Sequence, residues 1–391
     1  MSHPMARRSE RTRRLAGLFL AARLLIPAGA DTAPPPEELA RMWAVPGLPE
    51  VEHIAWADLP AYRSRSSVII RGVPGDSGHM HHPSIVYFDG RYLAAWNDGY
   101  RLEDRPGQRV RFATSADGLA WSAPQELSGR HPRRRYTTGG LWIRDGELYA
   151  LAALRDARDI EPTGEDPLLF AYRWDRRTGR FGEGQVILRE YFAQNVPQRA
   201  PDGDWLVLGK DGRSSWQTMK SAKGGVRALA DWTVRDLPAA GPMEEAEWYA
   251  LPNGHLVAHF RTRPLRRLLR SYSVDSGVTW TNPVVTDFPE AGARHHGLRL
   301  SNGLYALLVN PNTSGQRLPF SIALSRDGLR YDRIANVRAD SPSGGHGNER
   351  PGYHYMRGFE HGGQLITIYS INQADIGVTL IPITEFEALY R

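Results

Sequence analysis

The sequence predicts an all-β fold, a six- or seven-bladed β-propeller, on three observations. Six hairpins recur about every 50 to 60 residues, a polar turn motif appears three times between them, and helical patterns are confined to the two ends.

The hairpins order the chain. Each is an apolar strand, a turn containing glycine, and a second apolar strand ending in polar residues. They span 82–98 around Asp89-Gly90, 139–156 around Asp145-Gly146, and 197–211 around Asp202-Gly203. Three more span 247–262 around Asn253-Gly254, 296–310 around Asn302-Gly303, and 355–372 around Gly362-Gly363. Asp-Gly, Asn-Gly and Gly-Gly supply the positive φ angles that a two-residue hairpin turn requires. The intervals leave room for two further strands, so each repeat reads as a four-stranded blade. Six hairpins give six blades. The segment 51–73, with Val68-Ile69-Ile70, either closes the ring against the C-terminal strand 376–383 or belongs to a seventh blade. Short helices are expected at 34–43 and 385–390.

The turn motif is S-x-D-x(0,1)-G-x-x-[WY], at Ser115–Trp121, Ser273–Trp280 and Ser325–Tyr331. Its Asp accepts backbone N–H bonds, its Gly takes the left-handed position, and its aromatic packs back on the blade. These residues are structural.

Residues 1–30 read as a leader. Arg7, Arg8, Arg11, Arg13 and Arg14 precede an apolar run from Leu15 to Ala22, and small residues stand at Ala28 and Ala30. Arg23 interrupts the apolar pattern. Residues 31–50 are then a lead-in and 51–391 a single propeller domain, secreted or periplasmic. No later stretch has the roughly 20 apolar residues of a membrane span.

Composition narrows the chemistry. Cysteine is absent, which excludes disulfides, thiolate metal sites and a Cys nucleophile. The formal charge of +6 invites a nucleic-acid reading, but residues 1–30, with six Arg and one Glu, carry +5 of it. The remainder is nearly neutral, so the expected partner is an acidic oligosaccharide or polysaccharide taken by a monomer, with no nucleic acid. No cofactor is required by the sequence; a structural calcium in the central channel is compatible with the fold and has no motif of its own.

In an up-and-down blade, the residues just before and just after each hairpin converge on one mouth, opposite the polar turns. His82, Tyr136, Arg199, Glu247, His296 and Tyr355 stand before hairpins or at their start. Arg155, Arg261 and Arg317 stand at or beyond their ends. Clustered arginines aimed at one mouth suit an anionic ligand.

The three turns resemble the Asp-boxes of sialidase-like propellers, and other segments resemble one branch of that group. They include His82-Pro-Ser-Ile85, Asp104-Arg-Pro-Gly-Gln108, Gly297–Gly303, Arg317-Leu-Pro319 and Tyr369-Ser-Ile-Asn372. The branch is that of bacterial and fungal propellers acting on rhamnosyl-glucuronate ends of plant and microbial polysaccharides. The resemblance implies a propeller of sialidase-like type with chemistry centred on a His. His82, Tyr136 and Arg155 are then the catalytic candidates. Arg109, Arg199, Glu247, Arg261, His296, Arg317 and Tyr355 are the substrate-binding candidates. The implied reaction removes a terminal α-L-rhamnose from a 4-linked glucuronate by β-elimination. The Phe/Tyr-Arg-Ile-Pro segment of exo-sialidases is missing, since Ile70-Arg71-Gly72-Val73-Pro74 does not match it. Exo-sialidase or other glycoside hydrolysis, with a Tyr–Glu pair such as Tyr355 and Glu247, stays open, as does a non-catalytic glycan binder.

Overall fold

The computed structural model describes residues 32–391 except 212–218, 226–228, 239–240, 242 and 344–349. The expected leader lies outside the described residues. Among these residues no helix is long and apolar enough to cross a membrane.

Six antiparallel sheets follow one another along the chain, which settles the blade number at six. Blade 1 spans 79–126, blade 2 134–189, blade 3 191–236, blade 4 246–289 and blade 5 296–338. Blade 6 combines three C-terminal strands between Tyr353 and Pro382 with Arg65–Ile70, which pairs with Asp375–Pro382. The N-terminal strand is therefore the outermost strand of the last blade and closes the ring. Blade 3 departs from the pattern, because its inner strand is split into Tyr191–Ala193 and Gln198–Arg199.

Apolar clusters sit between neighbouring blades. Phe112 and Leu93 of blade 1 pack with Leu151's neighbours Ala150 and Ala152 and with Trp174 of blade 2, and Ile366 and Ile368 of blade 6 pack on Met80 and Trp96 of blade 1. Every blade thus buries both faces, and burial of this kind is the main stabilising term. Helices are short, Pro36–Ala40 and Ile383–Ala388. The lead-in continues past residue 50 to Tyr62 along blades 4 and 5. It is pinned there by the Arg270 guanidinium, which donates to the carbonyls of Leu39 at 2.7 Å and Glu38 at 3.1 Å.

All three Asp-boxes join third to fourth strands. In the second, Asp275 Oδ1 accepts from Ser273 Oγ at 2.9 Å and from the Thr279 amide at 2.8 Å, and Trp280 donates to the Gly277 carbonyl at 3.2 Å. Gly277 has φ +84°, and a Cβ there would lie 2.4 Å from Leu206 Cδ2 of blade 3. Gly303, in a hairpin turn with φ +88°, has nothing within 4 Å. Gly303→Ala is expected to cost about 1–2 kcal/mol from backbone strain alone, and Gly277→Ala distinctly more. Thermal unfolding of the two variants checks the order.

Candidate active site

Blades 1 and 6 deliver their chemical groups by the same local device. The inner strand of blade 1 changes register between His81 and Ser84, and that of blade 6 between His354 and Arg357. Each change is a β-bulge containing one residue with a left-handed backbone, His82 at φ 52° and Tyr355 at φ 55°. Such conformations cost about 1–3 kcal/mol at a non-glycine residue and concentrate at functional sites. A bulge breaks the alternation of the strand and re-aims a side chain. Here it brings the two rings edge to face, 4.7 Å between centroids.

Around them opens a polar pocket of about 470 Å³, its solvent side included, to which blades 1, 2, 3, 4 and 6 contribute. Tyr355 and Glu245 form one wall. The Tyr355 hydroxyl donates to Glu245 Oε1 at 2.8 Å, and Arg261 Nη1 donates to both Glu245 oxygens at 2.9 and 2.7 Å and to Tyr355 Oη at 2.9 Å. Burial alone would raise the Glu245 pKa, but Arg261, Arg294 and the Tyr355 hydroxyl outweigh it and hold the carboxyl far below the usual range. Burial and the Glu245 charge push Tyr355 above the ordinary phenol value. At neutral pH the pair is a phenol donating to a carboxylate. Behind it, Arg294 Nε and Nη2 and Arg317 Nε and Nη1 are buried without hydrogen-bond partners among the described residues. Orphaned buried donors are rare and mark a place for an acceptor.

His82 and Glu103 form the opposite wall. His82 Nε2 lies 3.0 Å from Glu103 Oε1, and Arg294 Nη1 lies 3.3 Å from His82 Nδ1. A guanidinium only donates, so Nδ1 accepts and the ring proton sits on Nε2, shared with Glu103. Burial lowers the His82 pKa from 6.5, against the opposing pull of Glu103. His81, His82 and Glu103 place one ligand atom each within 4.8 Å of one another, the described set that could hold a metal ion. Both His82 nitrogens have protein partners, whereas His81 Nδ1 is buried without one among the described residues.

The third wall is cationic. Arg155 stands 4.3 Å over the Phe192 ring and Lys210 5.7 Å from its centroid. Burial first and the Arg155 charge second lower Lys210 to about 7.

Of the residues expected at the mouth, His82, Arg155 and Tyr355 line this pocket. Arg261 and Arg317 are buried behind it, near enough for Arg261, Tyr355 and Glu245 to act on the Arg317 charge. Glu247 and His296 occupy a deeper layer. They bond to each other at 3.2 Å, and Arg357 lies 3.1 Å from Glu247. The Tyr–Glu pair is accordingly Tyr355 with Glu245, not with Glu247. Glu247 shares the strand face two residues on and lies one step below the tyrosine.

Three placements are corrected. Tyr136 points away from the mouth, its ring packing near Phe170 and its hydroxyl bonding Tyr172; the adjacent Thr137 faces the pocket instead. Arg109 belongs to an ion-pair cluster with Glu126 at 2.9 Å and Asp98 at 3.6 Å on the outer strands of blade 1. Arg199 lies at the turn end of blade 3, bonded to the Gly203 carbonyl and to Asp145 of the blade 2 turn. The split inner strand displaces it: the mouth-facing residues of that blade are Phe192 and Gln194. Glu103 was not among the expected residues. It lies five residues beyond the first hairpin, in a loop that folds back over the mouth, and the positive φ of Asp104, 68°, marks that turn.

A family model described as a BNR repeat-like domain matches residues 195–365. Among solved structures, one titled sialidase superposes with a TM-score of 0.64 at 20% identity, over 88% of this chain and 35% of its own. The chain has a β-propeller fold like that of this sialidase. A protein of unknown function from Dyadobacter fermentans matches this propeller with a TM-score of 0.64 at 16% identity, over 83% of this chain and 100% of its own. The Trypanosoma rangeli sialidase in complex with the inhibitor DANA gives 0.60 at 15% identity, over 88% of this chain and 61% of its own. The propeller thus spans about a third of the first sialidase's length and under two thirds of the second's. No curated protein matches the chain.

Removing Arg261 would leave the Glu245 carboxylate buried without its nearest counter-charge. Arg261→Met is expected to lower stability by about 3–5 kcal/mol at pH 7. The native Glu245 pKa is depressed; in the variant it rises, so lowering the pH towards 5 protonates the carboxyl and shrinks the loss. Denaturant unfolding of both proteins at the two pH values measures this.

Proposed function

We propose that the propeller hydrolyses terminal glycosides of a carboxylated sugar, with Tyr355 as nucleophile and Glu245 as its base. The observation that carries this reading is the 2.8 Å hydrogen bond between the two, at the wall of an arginine-backed pocket. A hydroxyl paired with a base that a third group holds in place is the arrangement of an activated nucleophile, and glycosidases with a tyrosine nucleophile are known.

In the first step a bond forms between Tyr355 Oη and the anomeric carbon as the bond to the leaving oxygen breaks. The phenolic proton passes to Glu245, and the His82–Glu103 pair, in the imidazolium form reached once Arg294 releases His82 Nδ1, gives its Nε2 proton to the leaving oxygen. Positive charge building on the sugar makes Tyr355 more acidic, which allows transfer to a carboxylate that is a weak base in the resting site. Water then attacks the anomeric carbon as its bond to Tyr355 Oη breaks, one water proton passes to the His82–Glu103 pair, and Tyr355 regains its own from Glu245. Arg261, Arg294 and Arg317 supply positive charge for the sugar carboxylate.

A second reading is β-elimination at a rhamnosyl-glucuronate end. It draws support from burial keeping His82 neutral near pH 7, as a base must be. Like the imidazolium acid of the hydrolytic reading, it requires Arg294 to release the acceptor nitrogen of His82. We also propose that residues 1–30 direct export.

Two experiments separate these readings. Incubation with a fluorogenic sialoside and an aryl glucuronide is expected to release the aglycone from one of them, with Tyr355→Phe lowering kcat by at least about 10³-fold. Retained turnover in that variant contradicts the nucleophile. In the pH profile, an imidazolium acid makes activity fall as pH rises through a midpoint below 6.5, whereas a neutral His82 base makes it rise there. An ultraviolet-absorbing unsaturated uronate, released with rhamnose, would identify elimination. Binding without turnover would identify a lectin-like propeller.

A further inference from the structure

Arg155 and Lys210 form a cationic wall between blades 2 and 3, apart from the arginines behind Tyr355. The carboxylates of the pocket already have partners: Asp104 pairs with Arg135 and, at 3.0 Å, with Arg158; Glu103 with His82; Glu245 with Arg261. Arg263, on the next blade, pairs with Glu244 at 3.1 Å. Among the described residues no carboxylate forms an ion pair with Arg155, and its Nε is buried without a hydrogen-bond partner. The guanidinium instead stacks over Phe192, whose ring also lies beneath Lys210. Two cations brought to one ring repel each other, and cation–π attraction of about 0.5–2 kcal/mol does not remove that repulsion. An anion placed between them would.

We propose that Arg155 and Lys210, over Phe192, form a second anion subsite, so that the natural ligand carries an anionic group there in addition to the carboxylate held on the Tyr355 side. The assignment of two subsites to one sugar ligand rests on the glycosidase reading above; the anion site itself does not. The group is an oxyanion on the glycan, a sulfate ester or a second carboxylate. Its oxygens would accept from the Arg155 fork and from the Lys210 ammonium, and Gln194 and Thr137 on the same wall offer neutral contacts to the ring that bears it.

The test needs no glycoside, so its outcome is independent of whether Tyr355 cleaves anything. The chain has three lysines, Lys210, Lys220 and Lys223, so protein labelled with ¹³Cε-lysine gives three resolvable probes, assigned by Lys210→Met. Inorganic sulfate and acetate are titrated separately at constant ionic strength. Saturable movement of the Lys210 signal by either anion is expected. Its titration midpoint, near 7 without added anion, should rise by about 1 pH unit or more when the anion is bound. Arg155→Met should abolish the anion response, while unchanged Lys220 and Lys223 signals show that the variant is folded. Tighter sulfate than acetate binding assigns a sulfate ester, and the reverse a carboxylate. A Lys210 signal indifferent to both anions, or an unchanged response in folded Arg155→Met, would overturn the proposal.

Discussion

Pairing of Arg65–Ile70 with Asp375–Pro382 is the constraint on which the site depends. It ties the start of the described fold to its end and so sets blade 6 against blade 1. The two bulged strands then face each other: Met80 N donates to the Gln373 carbonyl at 2.8 Å, and Ser370 Oγ to the Met80 carbonyl at 2.7 Å. Only in that closed arrangement do His82 and Tyr355, 273 positions apart in sequence, share one pocket. Ring closure also explains how two strained backbones are tolerated. The bulges lie in the inner strands, held by a sheet on one side and a neighbouring blade on the other, and a site that must hold its groups at fixed distances benefits from that rigidity.

The pocket is organised by charge as much as by shape. On the Tyr355 side, burial and a buried carboxylate raise the phenol against the pull of two arginines, Arg261 and Arg317. Across from it, a histidine and a glutamate share a proton. Arg155 and Lys210 close the third side with positive charge, and among the described residues no carboxylate forms an ion pair with Arg155. Beyond burial, charge acts from wall to wall: Glu103 raises Tyr355, and Glu245 opposes the effect of burial on both His82 and Lys210. Substitution at one wall therefore propagates to the others, and single-residue effects will not be additive.

The fold was legible in the sequence because its signals are local. A hairpin turn needs positive φ at its glycine, and an Asp-box needs Ser, Asp and Gly within a few residues, so the blade repeat follows from short motifs, while the choice between six and seven blades rests on the long-range pairing of Arg65–Ile70. The site was legible to the extent that strand ends converge on one mouth, which is why His82, Arg155 and Tyr355 meet there. Tyr136 and Thr137 differ by one position, and in a strand one position exchanges faces; without the register the outward residue was chosen. Arg199 was misplaced because the split strand of blade 3 has no sequence marker. Glu245 and Glu247 share a face, and only their height relative to Tyr355 distinguishes them. Glu103 reaches the pocket from a loop, by a fold-back that no local pattern announces.

The central claim is that Tyr355, held by Glu245, forms the bond to the sugar. Intact-protein and peptide mass spectrometry after incubation with fluorinated, activated sialosyl and glucuronosyl donors tests it most directly. A covalent glycosyl adduct on the peptide bearing Tyr355, absent in Tyr355→Phe, is the result this account predicts. An adduct on another residue, or turnover of such a donor with no adduct on Tyr355 at any time, would contradict it.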